Sequence, residues 1–151
     1  MQWIAYAPSR QPFSFTGFSW KRWGPHIHTP GTLLKDQFDG DWNLYLTALE
    51  AAAPTTQALG ITDYFSIESY RTIRRWKWLG RLSEVGLIFP SVEMRLDIKI
   101  EKTKGINLHL LLSPEEPDHL EHIGLLLYKL TFELNDRKHA CTESELAYLV
   151  N

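Results

Sequence analysis

The strongest constraint on the fold is a set of short, continuous apolar runs separated by segments of helical period. Residues 58–62 (ALGIT), 86–94 (GLIFPSVEM) and 106–112 (INLHLLL) have the length and character of strands buried on both faces. A fourth, compact stretch from Trp23 to His28 is bounded by Pro25 and Pro30 and predicts a short strand ending near two histidines. Between the runs, Trp42, Tyr45, Leu46, Leu49 and Ala52 recur with helical period behind a capping Asp41, and Pro54 stops that helix. A second helix is expected from Ser66, with Ser66 as cap, through Tyr70, Ile73, Trp76 and Leu79 to about Leu82. A third opens at Pro117 and carries Leu120, Ile123, Leu127 and Leu130. Thr142 and Glu145 form a capping box for a last one. Alternation of this kind predicts an α/β layout with a largely parallel sheet.

Residues 1–19 are aromatic and turn-rich and read as a loop or edge strand ahead of one domain over 20–151. The segment 95–104 alternates Leu96, Ile98 and Ile100 with charges and predicts a solvated hairpin arm turning at Gly105. A chain of 151 residues, 44% apolar and 23% charged, suits one hydrophobic core. A net charge of −2 excludes a strongly basic nucleic-acid coat and leaves room for a local basic patch. The single cysteine, Cys141, excludes an internal disulfide framework and fits a reducing compartment; it reads as inert. No run is long enough to span a membrane, and Pro8, Arg10, Gln11 and Pro12 interrupt anything like a signal peptide. A soluble, cytoplasmic protein is the expectation.

The chemistry-bearing residues are distributed over the strands. His26 and His28 follow the first run, Asp63 the second and Glu93 the third, while His109 lies in the fourth. Ligand sites of α/β folds gather at the carboxyl ends of strands, so this pattern points to a metal site. His-X-His in a strand sends both rings to one face. Mixed imidazole and carboxylate donors suit zinc, manganese or iron. Taken singly, each residue has a plainer reading: a histidine in an apolar run is usually a satisfied core residue, and an Asp after a strand is commonly a helix or turn cap. The set together reverses that weighting.

Four motifs carry a resemblance to a known family. HIHTPGT (26–32), GITDYFSIESY (60–70), FPSVEM (89–94) and INLHLLL (106–112) resemble, in order and spacing, the successive motifs of the PHP (polymerase and histidinol phosphatase) phosphoesterases. The resemblance implies a distorted (β/α)7 barrel, of which this chain holds the N-terminal part. It implies divalent metal ions held by His26, His28, Glu93 and His109, with Glu93 bridging two ions and Asp63 acting as ligand or orienting a histidine. Asp63 and Glu93 would then be the catalytic carboxylates, and the substrate a phosphate ester. Two positions depart from the family pattern: Gly24 stands where an Asp is common, and Tyr64 where the second motif has a histidine. The closing Asp-X-His is absent after His109. An incomplete domain with an exposed sheet edge, open to self-association, is therefore expected, and a catalytically degenerate interaction module is the alternative.

More narrowly, WKRWGPHIHTPGT, LGITDYFSIESY and FELNDRKHACTESEL resemble the N-terminal PHP module of large bacterial proteins in which an ATPase of the SMC or RecN type follows. Such proteins are associated with DNA metabolism and anti-phage defence, so DNA and an ATPase domain are the implied partners. Arg71, Arg74, Arg75 and Lys77, interleaved with Trp76 and Trp78, would suit a nucleic-acid backbone. The plainer reading gives a solvated helix face. His119 and His122, flanked by Glu116 and Glu121, read as surface residues.

Overall fold

A computed structural model describes residues 21–32, 37–52, 56–96, 106–142 and 145. The expected N-terminal segment, the arm beyond Leu96 and the last helix apart from its Glu145 lie outside them. The described residues form a mixed α/β fold with a curled four-stranded sheet and three helices. In chain order these are β1 (Arg22–His28), α1 (Trp42–Ala52), β2 (Thr56–Tyr64), α2 (Glu68–Trp78), β3 (Leu87–Leu96), β4 (Ile106–Leu111), α3 (His119–Lys129), β5 (Thr131–Leu134) and β6 (Arg137–Ala140). The sheet order is β1-β2-β3-β4. β1, β2 and β3 run parallel, as the intervening helices require, but β4 is antiparallel to β3. Only nine residues separate β3 from β4, fewer than the dozen or so that a parallel crossover needs.

Side-chain alternation assigns the two faces of the sheet. Leu59 and Ile61 of β2 and Ile88, Val92 and Met94 of β3 join Tyr45 and Leu46 of α1, Tyr70 and Ile73 of α2, and Ile123 and Leu127 of α3 in one buried cluster. Leu46 and Ile73 are fully enclosed, so truncating either to Ala would cost about 2–5 kcal/mol. The opposite, concave face carries Ala58, Gly60, Thr62 and Tyr64 from β2 and Phe89, Ser91 and Glu93 from β3. No helix long and apolar enough to cross a membrane occurs among the described residues.

The helix ends follow local chemistry. Asp41 caps α1 as expected, its Oδ1 accepting the Leu44 amide at 2.9 Å. α2 stops at Trp78, short of the expected Leu82. There Gly80 takes φ +96, a conformation glycine adopts without strain, and its amide and that of Arg81 bond back to the carbonyls of Lys77 and Trp76. That is a Schellman closure, with glycine in the left-handed position. The β5–β6 hairpin was not expected. Its turn residues Asn135 and Asp136 have φ +52 and +59, the paired left-handed geometry of a tight hairpin.

Candidate metal centre

The site begins with an irregularity in β1. Gly24 pairs with Leu59 and Ile27 with Ile61, so Pro25 and His26 together oppose the single residue Gly60. This bulge turns His26 onto the concave face beside His28, and the two rings meet edge-to-face with centroids 4.5 Å apart. Gly60 makes the bulge possible: a Cβ at that position would lie 2.2 Å from the Pro25 carbonyl oxygen. Tyr64 pairs with Glu93 across β2 and β3, and Glu93 with His109 across β3 and β4. The antiparallel reversal of β4 thus sets His109 next to Glu93 in mid-strand, not at a carboxyl edge.

Three of the expected ligands converge. One donor atom from each of His26, Glu93 and His109 lies within 4.8 Å of the others. The Nδ1 atoms of His26 and His109 are 3.3 Å apart, within hydrogen-bonding distance of each other, whereas it is the other ring nitrogen of His26, Nε2, that faces Glu93 Oε2. Glu93 is 2% exposed. Its Oε2 lies 3.8 Å from His26 Nε2 and 3.5 Å from His28 Nε2, beyond hydrogen-bonding range, and is buried without a hydrogen-bond partner. Its Oε1 accepts the side-chain amide of Asn107 at 2.9 Å. Sequence reasoning missed Asn107, although an Asn two residues before a candidate ligand on the same strand shares its face and was a usable signal.

His28 and Asp63 stand apart from the three. His28 touches Glu93 and stacks on Tyr64, with ring centroids 5.4 Å apart and an interplanar angle of 22°. Asp63 points to the helical side of the sheet, between Thr62 and Tyr64, and its Oδ2 accepts the Ser69 amide at 2.7 Å. It caps α2 from the neighbouring strand. Ser66, the expected cap, accepts only the Glu68 amide, at 3.2 Å. Burial is the main cause that raises the Asp63 pKa above the usual carboxylate range, and the Ser69 hydrogen bonds oppose it. The plain reading of a lone Asp after a strand is the one realised here.

The basic residues of α2 divide in two. Arg71 pairs with Glu68 at 3.0 Å and donates to the Leu120 carbonyl. Lys77 donates to the carbonyls of Leu82 and Val85 at 2.9 and 2.6 Å, and burial lowers its pKa. Both therefore brace the fold, while Arg74 and Arg75 are exposed. Trp76 packs against the core and Trp78 is exposed. His119, expected on the surface, is buried: its Nε2 meets the Tyr70 hydroxyl at 3.0 Å and its Nδ1 the Glu116 carbonyl. The i, i+4 pair of His122 with Asp118 is exposed, as expected. Cys141 is buried with its thiol pKa raised by that burial, which suits an inert side chain. Comparison with protein-family models, curated proteins and solved structures returns no match for this chain.

Proposed function

We propose that the chain has a PHP-type fold whose His26, Glu93 and His109 hold a divalent metal ion, zinc, manganese or iron, for hydrolysis of phosphate esters. The observation that carries this reading is Glu93 Oε2, a buried carboxylate oxygen without a hydrogen bond, facing imidazole nitrogens. Leaving such an atom unsatisfied costs several kcal/mol by order of magnitude, and a cation among these donors would offset that cost. A bound divalent ion supplies Lewis acidity toward a phosphoryl oxygen and acidifies water for attack. The residues would do the rest. Asn107 fixes one Glu93 oxygen so that the other stays aimed at the histidines. Asp63 has no place in this chemistry, because its carboxylate holds α2.

The motif resemblance extends the proposal to a cytoplasmic, DNA-directed role beside an ATPase of the SMC or RecN type, with Arg74 and Arg75 as the exposed basic pair that a backbone phosphate could meet. The second reading, a degenerate PHP module serving in protein interaction, is favoured by the Tyr64 ring stacked on His28. Hydrolysis of p-nitrophenyl phosphate and its bis-ester with added manganese separates the two. The first reading expects manganese-dependent turnover that Glu93→Gln abolishes; metal binding without turnover would leave the second.

A further inference from the structure

Glu93 has donors on two sides, and they are unequal. On one side His26 and His109 bring their Nδ1 atoms to 3.3 Å and complete a three-residue group with the carboxylate. On the other stands His28, its Nε2 3.5 Å from Glu93 Oε2. His28 belongs to no three-residue donor group among the described residues. The neighbour that could extend its side is Tyr64, which pairs with Glu93 in the sheet and lays its ring parallel to the imidazole. Among the described residues, a second ion at His28 would thus have one imidazole and a shared carboxylate, with the Tyr64 ring lying against the imidazole.

We infer that the centre is mononuclear: one divalent ion at His26, Glu93 and His109, with Tyr64 as the residue that keeps a second ion from the His28 side of Glu93. His28 then acts on the carboxylate and not as a ligand. Its ring is 11% exposed and lies 3.5 Å from the buried Glu93 carboxylate, so it positions Glu93 and helps to shield it from water. This inference rests on the metal reading above and specifies its stoichiometry. It also separates two families of variants, since loss of a ligand and loss of a positioning ring have different consequences.

The test is a manganese titration of the metal-free full chain, followed by calorimetry and by electron paramagnetic resonance. Wild type should bind one equivalent and give the spectrum of isolated Mn(II). His28→Ala should keep that one equivalent with affinity weakened about tenfold, whereas His26→Ala or His109→Ala should abolish binding. Tyr64→His should admit a second equivalent with spin-coupled Mn(II), and Tyr64→Phe, which keeps the ring, should remain at one. Two or more equivalents in wild type, or loss of all binding in His28→Ala with the fold intact by circular dichroism, would overturn the mononuclear assignment while leaving a metal centre. A folded Tyr64→His chain that stays at one equivalent would overturn the role of Tyr64. No binding by wild type would instead remove the metal reading on which the inference rests.

Discussion

The side-chain amide of Asn107 donates to Glu93 Oε1 at 2.9 Å across the β3–β4 pairing. Asn107 is the diagonal neighbour of Glu93, since Glu93 pairs with His109 and Arg95 with Asn107. The contact consumes one carboxylate oxygen and leaves the other to the histidines. Partners of this kind usually tune affinity by about 10–100-fold. Asn107→Ala is therefore expected to weaken manganese binding within that range and, by leaving a buried carboxylate oxygen unpaired, to cost about 1–3 kcal/mol of stability. Chelator competition and thermal melts report the two quantities separately.

Asp63 separates stability from metal binding. Asp63→Ala removes the cap on Ser69 and should cost about 0.5–2 kcal/mol of stability, with metal content unaltered. Asp63→Asn keeps an acceptor for the Ser69 amide without the buried charge. Because the folded-state pKa is raised, the contribution of Asp63 is fully present below its unfolded pKa and is lost as pH rises through the folded value. Relative to wild type, the Asn variant should accordingly gain stability as pH rises through the acidic range. Denaturant melts across that range check the sign.

The bulge that delivers His26 depends on a missing side chain. At Gly60 an alanine Cβ would meet the Pro25 carbonyl oxygen at 2.2 Å and its carbon at 2.7 Å, both backbone atoms that cannot swing aside. Gly60→Ala should destabilise the chain by about 1–3 kcal/mol or more and weaken metal binding by displacing His26. Gly124→Ala is the contrasting case. It lies within α3, where nothing stands within 4 Å of the new methyl, and should stabilise by about 0.5–1 kcal/mol.

Tyr70 and His119 form a buried pair joining α2 to α3, the hydroxyl 3.0 Å from Nε2. With the ring's Nδ1 donating to the Glu116 carbonyl, Nε2 is the acceptor and the tyrosine the donor. Tyr70→Phe orphans that nitrogen and should cost about 1–3 kcal/mol. Burial pushes the Tyr70 phenol up to about 12 from an ordinary 10.0. The folded value is the higher one, so its contribution holds below pH 10.0 and is lost as pH rises through about 12. An ultraviolet titration should show this phenolate appearing after those of exposed tyrosines, and the Phe variant should lack that late step.

Much of this arrangement is legible in the chain. The apolar runs of β2 and β3 announce strands covered on both faces, and Asp41 announces the start of α1, because each rests on local pattern or local hydrogen bonding. The convergence of His26, Glu93 and His109 is legible as a set, since separate strands carry the donors. What escapes depends on partners far along the chain. Asp63 looks like a site residue until Ser69 supplies the amide it caps, and His119 looks exposed until Tyr70 covers it. The direction of β4 depends on its pairing with β3. The bulge at Pro25 and His26 depends on Gly60, more than thirty residues away in a different strand. The β5–β6 hairpin was readable in principle from Asn135 and Asp136, two residue types that tolerate the left-handed turn.

Glu93 Oε2, buried without a hydrogen bond beside His26 and His28, is the atom on which the proposed metal ligation turns. The most direct test of that ligation is the metal content, by inductively coupled plasma mass spectrometry, of wild type and Glu93→Gln purified alike after exposure to zinc, manganese and iron. One divalent ion per wild-type chain is expected, with a near-complete loss in a Glu93→Gln chain that still folds. A folded wild type that retains no ion, or a Glu93→Gln chain that retains as much as wild type, would contradict that ligation.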